Sequence, residues 1–130
     1  MVKNMKEKIL KYNPLKEYFF EEGCFINEIF FNDPEEVSLS IARARVKPGA
    51  RTRLHRVKVI ECYLILEGKG RVEVGDLTPQ DVGTGDLVFI PIDYPQRITN
   101  TGKSDLLFLA ICTPRFRPVL YEDIEDFVGI

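Results

Sequence analysis

Three polar side chains occupy strand-like segments from which they could share one face. His55, Glu61 and Gln96 each belong to a short stretch in which side chains of the same parity are expected to point the same way. If that face lines the inside of a barrel, the three side chains converge on one point. An imidazole nitrogen, a carboxylate oxygen and an amide oxygen suit a first-row divalent metal. The pattern therefore predicts a site for Fe, Mn, Ni or Zn formed by these residues.

The histidine count leaves a second interpretation open. His55 is the only histidine of the chain, and one imidazole is a narrow basis for a metal site. In the metal-free interpretation, His55 is a hydrogen-bonding group of a pocket and Glu61 pairs with a nearby arginine. A carboxylate inside a barrel needs a partner cation or a raised pKa in either case.

A basic stretch adjoins these residues and indicates how a substrate could be held. Residues 43–58 contain seven arginines and lysines and no acid. Arg43 and Arg45 share parity with Ile41, so we expect them to face the pocket and bind the negative group of a carboxylate or a sugar phosphate. A solvated outer face is the alternative for most of this stretch. Tyr63, on the face of Glu61, and Asn100, on the face of Gln96, are further candidate substrate-binding residues.

The elements that must position these side chains are mostly strands. Many short apolar segments separated by Gly, Asn, Asp and Pro indicate an all-β sandwich or barrel. The predicted strands are Cys24–Phe31, Val37–Val46, Cys62–Leu66, Arg71–Val74, Leu87–Ile90, Gln96–Thr99 and Leu106–Thr113. Short helical segments are predicted at the two ends, one over residues 2–12 before Pro14 and one in the acidic tail Tyr121–Ile130.

Composition limits the classes of function. The chain has 130 residues and a net charge of −2, which suits one domain and, without an aromatic stacking signature, argues against nucleic acid. Its longest apolar run is too short for a membrane span, and its first residues lack the apolar region of a signal peptide. The three cysteines lack zinc-finger spacing. Free thiols and a cytoplasmic location are therefore expected.

Two spaced motifs resemble those of the cupin superfamily. The first cupin motif is Gly, five residues, His-x-His, three or four residues, Glu, six residues, Gly. The chain matches it at Gly49, His55, Glu61 and Gly68. It departs from the motif at Val57, where the second histidine is expected.

The second cupin motif is Gly, five residues, Pro-x-Gly, two residues, His, three residues, Asn. The chain matches it at Gly85, Pro91 and Asn100. It departs at Asp93, which replaces the glycine, and at Gln96, which replaces the histidine. Two of the four usual metal-ligand positions are thus altered.

The resemblance implies a double-stranded β-helix, or jelly-roll barrel, of the small single-domain cupin type. It implies one domain over residues 1–130, with the barrel at about 37–113, an N-terminal extension at 1–36 and a tail at 114–130. It assigns metal ligation to positions 55, 57, 61 and 96. Of these, Val57 cannot bind a metal, so His55, Glu61 and Gln96 are the expected ligands.

The function expected from this resemblance is binding of a small molecule. The metal-bound form would act as an isomerase, lyase or dioxygenase on a small polar or anionic compound, and whether the chain catalyses any reaction stays open. The alternatives are a metal-free binding module and a structural cupin. A homodimer is expected, with the aromatic segment Tyr18–Phe31 covering an edge of the partner.

Overall fold

Within residues 6–30 and 37–125, which the structure describes, the computed structural model contains eleven strands joined by short turns. The strands are β1 (Tyr18–Phe20), β2 (Cys24–Phe30), β3 (Ser40–Val46), β4 (His55–Val57), β5 (Ile60–Glu67), β6 (Lys69–Val74), β7 (Gln80–Gly83), β8 (Leu87–Ile90), β9 (Gln96–Asn100), β10 (Leu106–Thr113) and β11 (Tyr121–Asp123). Pro14–Lys16 and Pro118–Leu120 are single 3-10 turns, and Glu125, the last described residue, is α-helical. The prediction of an all-β fold is confirmed.

The strands form two antiparallel sheets that face each other. The six-stranded sheet has the order β1-β2-β3-β10-β5-β8, and the five-stranded sheet has the order β11-β4-β9-β6-β7. The alternating pattern places the apolar side chains of both sheets between them. The centre of this core is formed by Val46, Ile65, Ile90, Ile98 and Leu106, each with 1% of its surface exposed or less.

The N-terminal helix is absent from the described residues, and the first part of the predicted C-terminal helix is a strand, with Glu125 helical after it. Residues 6–12 have no regular secondary structure, and residues 2–5 lie outside the described part. Tyr121–Asp123 forms a strand beside β4, with Asp123 opposite His55. Two ion pairs hold it there, Arg53 with Asp123 and Arg56 with Glu122. The acidic composition of the tail therefore serves pairing with Arg53 and Arg56, and residues 126–130 of the predicted helix lie outside the described residues.

The β1–β2 hairpin covers one end of the space between the sheets. Its turn contains Gly23 at a φ of 104°, a left-handed conformation that favours glycine. An added Cβ there would lie 3.2 Å from the carbonyl oxygen of Arg51. The backbone N–H of Arg53 donates to the carbonyl oxygen of Glu22 at 2.7 Å. This bond ties the hairpin turn to the segment that leads into β4.

No helix among the described residues is long and apolar enough to cross a membrane.

Candidate functional site

The predicted alternation brings the three candidate ligand residues into the barrel. On β5, Glu61 is 7% exposed and shares its face with buried Tyr63 and Ile65. His55 and Gln96 are 1% and 0% exposed. They are direct cross-strand neighbours on β4 and β9, so their side chains leave the five-stranded sheet side by side. Glu61 comes from the other sheet, and all three side chains point inward as the alternation predicts.

A barrel cavity lies between the β1–β2 hairpin and strands β3, β4, β5 and β10. Its walls include Glu22, His55, Val57, Glu61, Ala110 and Phe116. The cavity has a volume of about 60 Å³. The cavity therefore admits a molecule of a few non-hydrogen atoms.

The imidazole of His55 is held in one orientation. Its Nδ1 lies 2.6 Å from the carbonyl oxygen of Arg53. A carbonyl oxygen only accepts, so Nδ1 carries the hydrogen and donates it. The ring also stacks on Tyr121, with centroids 5.1 Å apart. Burial lowers the pKa of His55, which leaves Nε2 as an unprotonated acceptor at neutral pH.

Glu22 is a site residue that the sequence reasoning missed. Its Oε2 lies 3.5 Å from Nε2 of His55. Burial raises the pKa of Glu22 to about 7. A signal was available in the sequence, because Glu21-Glu22-Gly23 separates two apolar runs and reads as a hairpin turn. Strand turns lie at the ends of a barrel, which is where a cavity opens.

Glu61 carries the second buried carboxyl of the cavity. Burial and then the charge of Glu22 raise its pKa to about 7, and His55 with hydrogen bonds from Gln96 and Cys112 opposes the shift. Its Oε1 is buried and has no hydrogen-bond partner among the described residues. Cys112 lies directly opposite on β10 and also lines the cavity. Burial raises the pKa of the Cys112 thiol, so this sulfur is an inert wall atom at neutral pH.

Gln96 is committed to a neighbour in the core. The hydroxyl of Tyr63 donates to Oε1 of Gln96, which is the atom of this side chain that could bind a metal. The ring of Tyr63 packs on Phe108 at 4.5 Å between centroids. Tyr63 therefore fills the core and orients Gln96, and it does not line the barrel cavity as a substrate-binding residue would.

The donor set does not fit a resident transition metal. Among residues 6–30 and 37–125, no three side chains of His, Cys, Asp or Glu are placed to hold a metal ion. Val57 stands as an apolar wall of the cavity where the cupin motif has its second histidine. Glu22, His55 and Glu61 line the cavity but do not form such a group, and Oε1 of Gln96 is engaged by Tyr63. Protein zinc sites, for comparison, take three or four protein ligands.

The structure does not bring Arg43 and Arg45 to the cavity. Ala44 and Val46 lie in the core, so the two arginines point to the outer face of β3. Arg45 pairs with Glu17 at 2.6 Å and lies over the ring of Phe25. The sequence reasoning placed the wrong parity of β3 inside. These side chains stabilise the N-terminal strands against the sheet and do not reach a ligand in the barrel.

Asn100 also has a structural role in place of the predicted binding role. Its Nδ2 donates to the carbonyl oxygens of Val46 and Ser104, at 2.9 and 2.8 Å. Its Oδ1 accepts from the N–H of Gly102 at 2.8 Å. With 2% exposure, it closes the turn between β9 and β10 at the end of β9 away from Gln96.

Asp93, which replaces the motif glycine, lies in the turn before β9. Its φ is 65°, a left-handed conformation in which Asp is one of the better tolerated residues. Its N–H donates to the carbonyl oxygen of Val57 at 2.9 Å. This bond anchors the turn before β9 to the end of β4 and so sets Gln96 beside His55.

Comparisons with known proteins show what this chain is similar to. A family model described as a cupin domain matches residues 42–112. The chain is 35% identical to the uncharacterized protein MJ1618 of Methanocaldococcus jannaschii, over 91% of this chain and 94% of that protein. It is 24% identical to a glucose-6-phosphate isomerase of Thermococcus litoralis, over 85% of this chain and 72% of the isomerase. An oxalate decarboxylase from Bacillus subtilis superposes with a TM-score of 0.75 and 24% identity, covering 97% of this chain and 35% of that one. The chain thus spans about a third of that decarboxylase.

Proposed function

Because the chain belongs to the cupin domain family, we propose that its barrel cavity binds a small molecule through Glu22, His55 and Glu61, without a resident metal. The single observation that carries this proposal is the buried Oε1 of Glu61, which lacks a hydrogen-bond partner among the described residues and belongs to a side chain that lines the cavity. A buried polar atom without a partner costs on the order of 1–3 kcal/mol. A ligand that hydrogen-bonds this oxygen recovers that free energy.

The polar groups of the cavity are also matched for moving a proton. Nε2 of neutral His55 accepts, while Glu22 and Glu61, with pKa values of about 7, donate or accept near neutral pH. Groups of this kind are the ones that general acid–base chemistry uses. The site can therefore hold a bound molecule in either of two protonation states.

The metal-dependent function predicted from the sequence is the competing hypothesis. It requires His55, Glu61 and Gln96 to hold Fe, Mn, Ni or Zn together. Metal analysis of protein purified without chelators separates the two functions. We expect much less than one equivalent of any transition metal. One equivalent that is lost in His55→Ala and in Glu61→Ala would refute the metal-free proposal.

Ligand binding is tested directly by a fragment screen that reads backbone and methyl NMR shifts. Ala110 lines the cavity, and the neighbouring Leu109 on the same strand points the other way. Ala110→Leu fills part of the cavity and is expected to abolish binding of fragments that shift cavity residues. Leu109→Phe is the matched control and is expected to preserve it. Fragments that bind equally to both variants would show that the cavity is not the site.

A further inference from the structure

The charged residues that line the barrel cavity are of one sign. Among its described lining residues, Glu22, Glu28 and Glu61 are acidic and none is lysine or arginine. The arginines expected to serve an anionic substrate lie on the outer face of β3. We propose that the ligand of this cavity is a small organic cation, a protonated primary amine with a short apolar body. This inference deepens the proposed function and rests on it.

Hydrogen-bond acceptors at one end of the cavity match an ammonium group. An ammonium has three donors and no acceptor. Oε1 of Glu61 is buried without a partner among the described residues. The carboxyl of Glu22 lies beside Nε2 of His55, and Nε2 is left as an acceptor because Nδ1 donates to Arg53. Three acceptor groups therefore face one small space, whereas a carboxylate or phosphate ligand would meet two carboxyls and no cationic side chain of the described lining.

The remaining walls suit the apolar part of such a ligand. Phe20, Phe30 and Phe116 line the cavity. Phe20 contacts Phe116 edge to face, with centroids 6.3 Å apart. Aromatic faces attract cations as well as apolar groups. The volume of about 60 Å³ suits a ligand of a few non-hydrogen atoms.

An organic cation fits these groups better than a metal ion does. A zinc ion needs several donors within about 2 Å of one point, and the described residues offer no cluster of three. An ammonium group donates hydrogen bonds whose donor–acceptor distances are near 3 Å. The wider spacing of Glu22, His55 and Glu61 suits hydrogen bonds to an ammonium group better than metal coordination.

The test uses three probes of similar size and different charge: butylamine, butan-1-ol and butyrate. Each is titrated into the full chain at pH 8 with a chelator present, and NMR shifts of cavity residues give the dissociation constants. At this pH the amine is protonated, and Glu22 and Glu61 are above their pKa values of about 7. Butylammonium is expected to bind at least tenfold tighter than butanol, and butyrate weakest of the three.

Glu61→Gln is expected to weaken butylammonium at least tenfold and to change butanol less than threefold. Glu67→Gln, an exposed carboxyl on the same strand, is the matched control and is expected to leave all three constants unchanged. Butanol or butyrate binding as tightly as the amine, with shifts in the cavity, would overturn the cation proposal and leave the binding function standing. If none of the three probes shifts the NMR signals of cavity residues, both the cation proposal and the proposed binding function are overturned. Loss of amine binding in Glu67→Gln as well would show that bulk charge is responsible, which also overturns it.

Discussion

Replacing Glu61 by glutamine isolates the cost of a carboxyl buried beside a second one. The substitution keeps the shape of the side chain and removes its ionisation. In the folded protein, burial and then the charge of Glu22 raise the pKa of Glu61 from 4.5 to about 7. The unfolded chain exposes the group and titrates near the ordinary value.

The direction of the pH effect follows from these two values. Below pH 4.5 both states are protonated, and ionisation contributes nothing to the free energy of unfolding. Between pH 4.5 and 7 the unfolded chain releases the proton while the folded protein keeps it, so stability falls as pH rises. Above pH 7 both states are ionised and the deficit is constant. At about 1.4 kcal/mol per unit, the raised pKa corresponds to about 3 kcal/mol.

Urea denaturation at pH 4.5, 5.5, 6.5, 7.5 and 8.5 measures this contribution. The amide that the substitution introduces adds a pH-independent offset, so the informative quantity is the difference between variant and wild type at each pH. We expect that difference to move in favour of Glu61→Gln by about 3 kcal/mol between pH 4.5 and 8, and to be flat above pH 7.5. Glu67→Gln, with an exposed side chain on the same strand, is expected to follow the wild type.

A pH-independent difference between Glu61→Gln and wild type would refute the reasoning, because Glu61 would then ionise as freely in the folded state as in the unfolded one. The double variant Glu22→Gln/Glu61→Gln adds a second check. Since the Glu22 charge contributes to the raised pKa of Glu61, the two substitutions are expected to be less than additive above pH 7.

Four further outcomes follow from the same structure. Arg43→Ala with Arg45→Ala is expected to leave ligand affinity within twofold, as measured by the butylamine titration, because both side chains lie outside the barrel; a tenfold loss would contradict that placement. Asn100→Ala removes three hydrogen bonds of a buried turn and is expected to cost about 2–4 kcal/mol in urea denaturation, without altering ligand affinity. Gly23→Ala is expected to weaken ligand binding by displacing Glu22, with a smaller effect on global stability; unchanged binding would show that the hairpin turn does not position this carboxyl. We further propose the homodimer predicted from the sequence, because Phe19 on the edge strand β1 is 62% exposed. Phe19→Ser is expected to shift the mass measured by light scattering toward that of the monomer. A wild-type protein that is monomeric at high concentration would contradict the homodimer.

The fold class and the inward residues of the barrel strands follow from the linear pattern of residues. Alternation along β5 and β9 is enough to place Glu61 and Gln96 inside, because a strand has only two faces and each is marked by its apolar neighbours. The motif spacing then places His55 on the same face. The same reasoning failed for Arg43 and Arg45, where Ile41 and Ala44 are both apolar and the pattern does not select a face.

Which groups share the cavity, and what they can do there, depends on how the two sheets and the hairpin assemble. Glu22 lies far from His55 in sequence, and the two meet because the β1–β2 hairpin folds over the end of the barrel and its turn is hydrogen-bonded to Arg53. The sequence predicts that Gln96 is a metal ligand, but in the structure the hydroxyl of Tyr63 donates to its side-chain oxygen. The raised pKa values of Glu22 and Glu61 come from burial. Burial is a property of the assembled sheets, and no residue type or spacing records it.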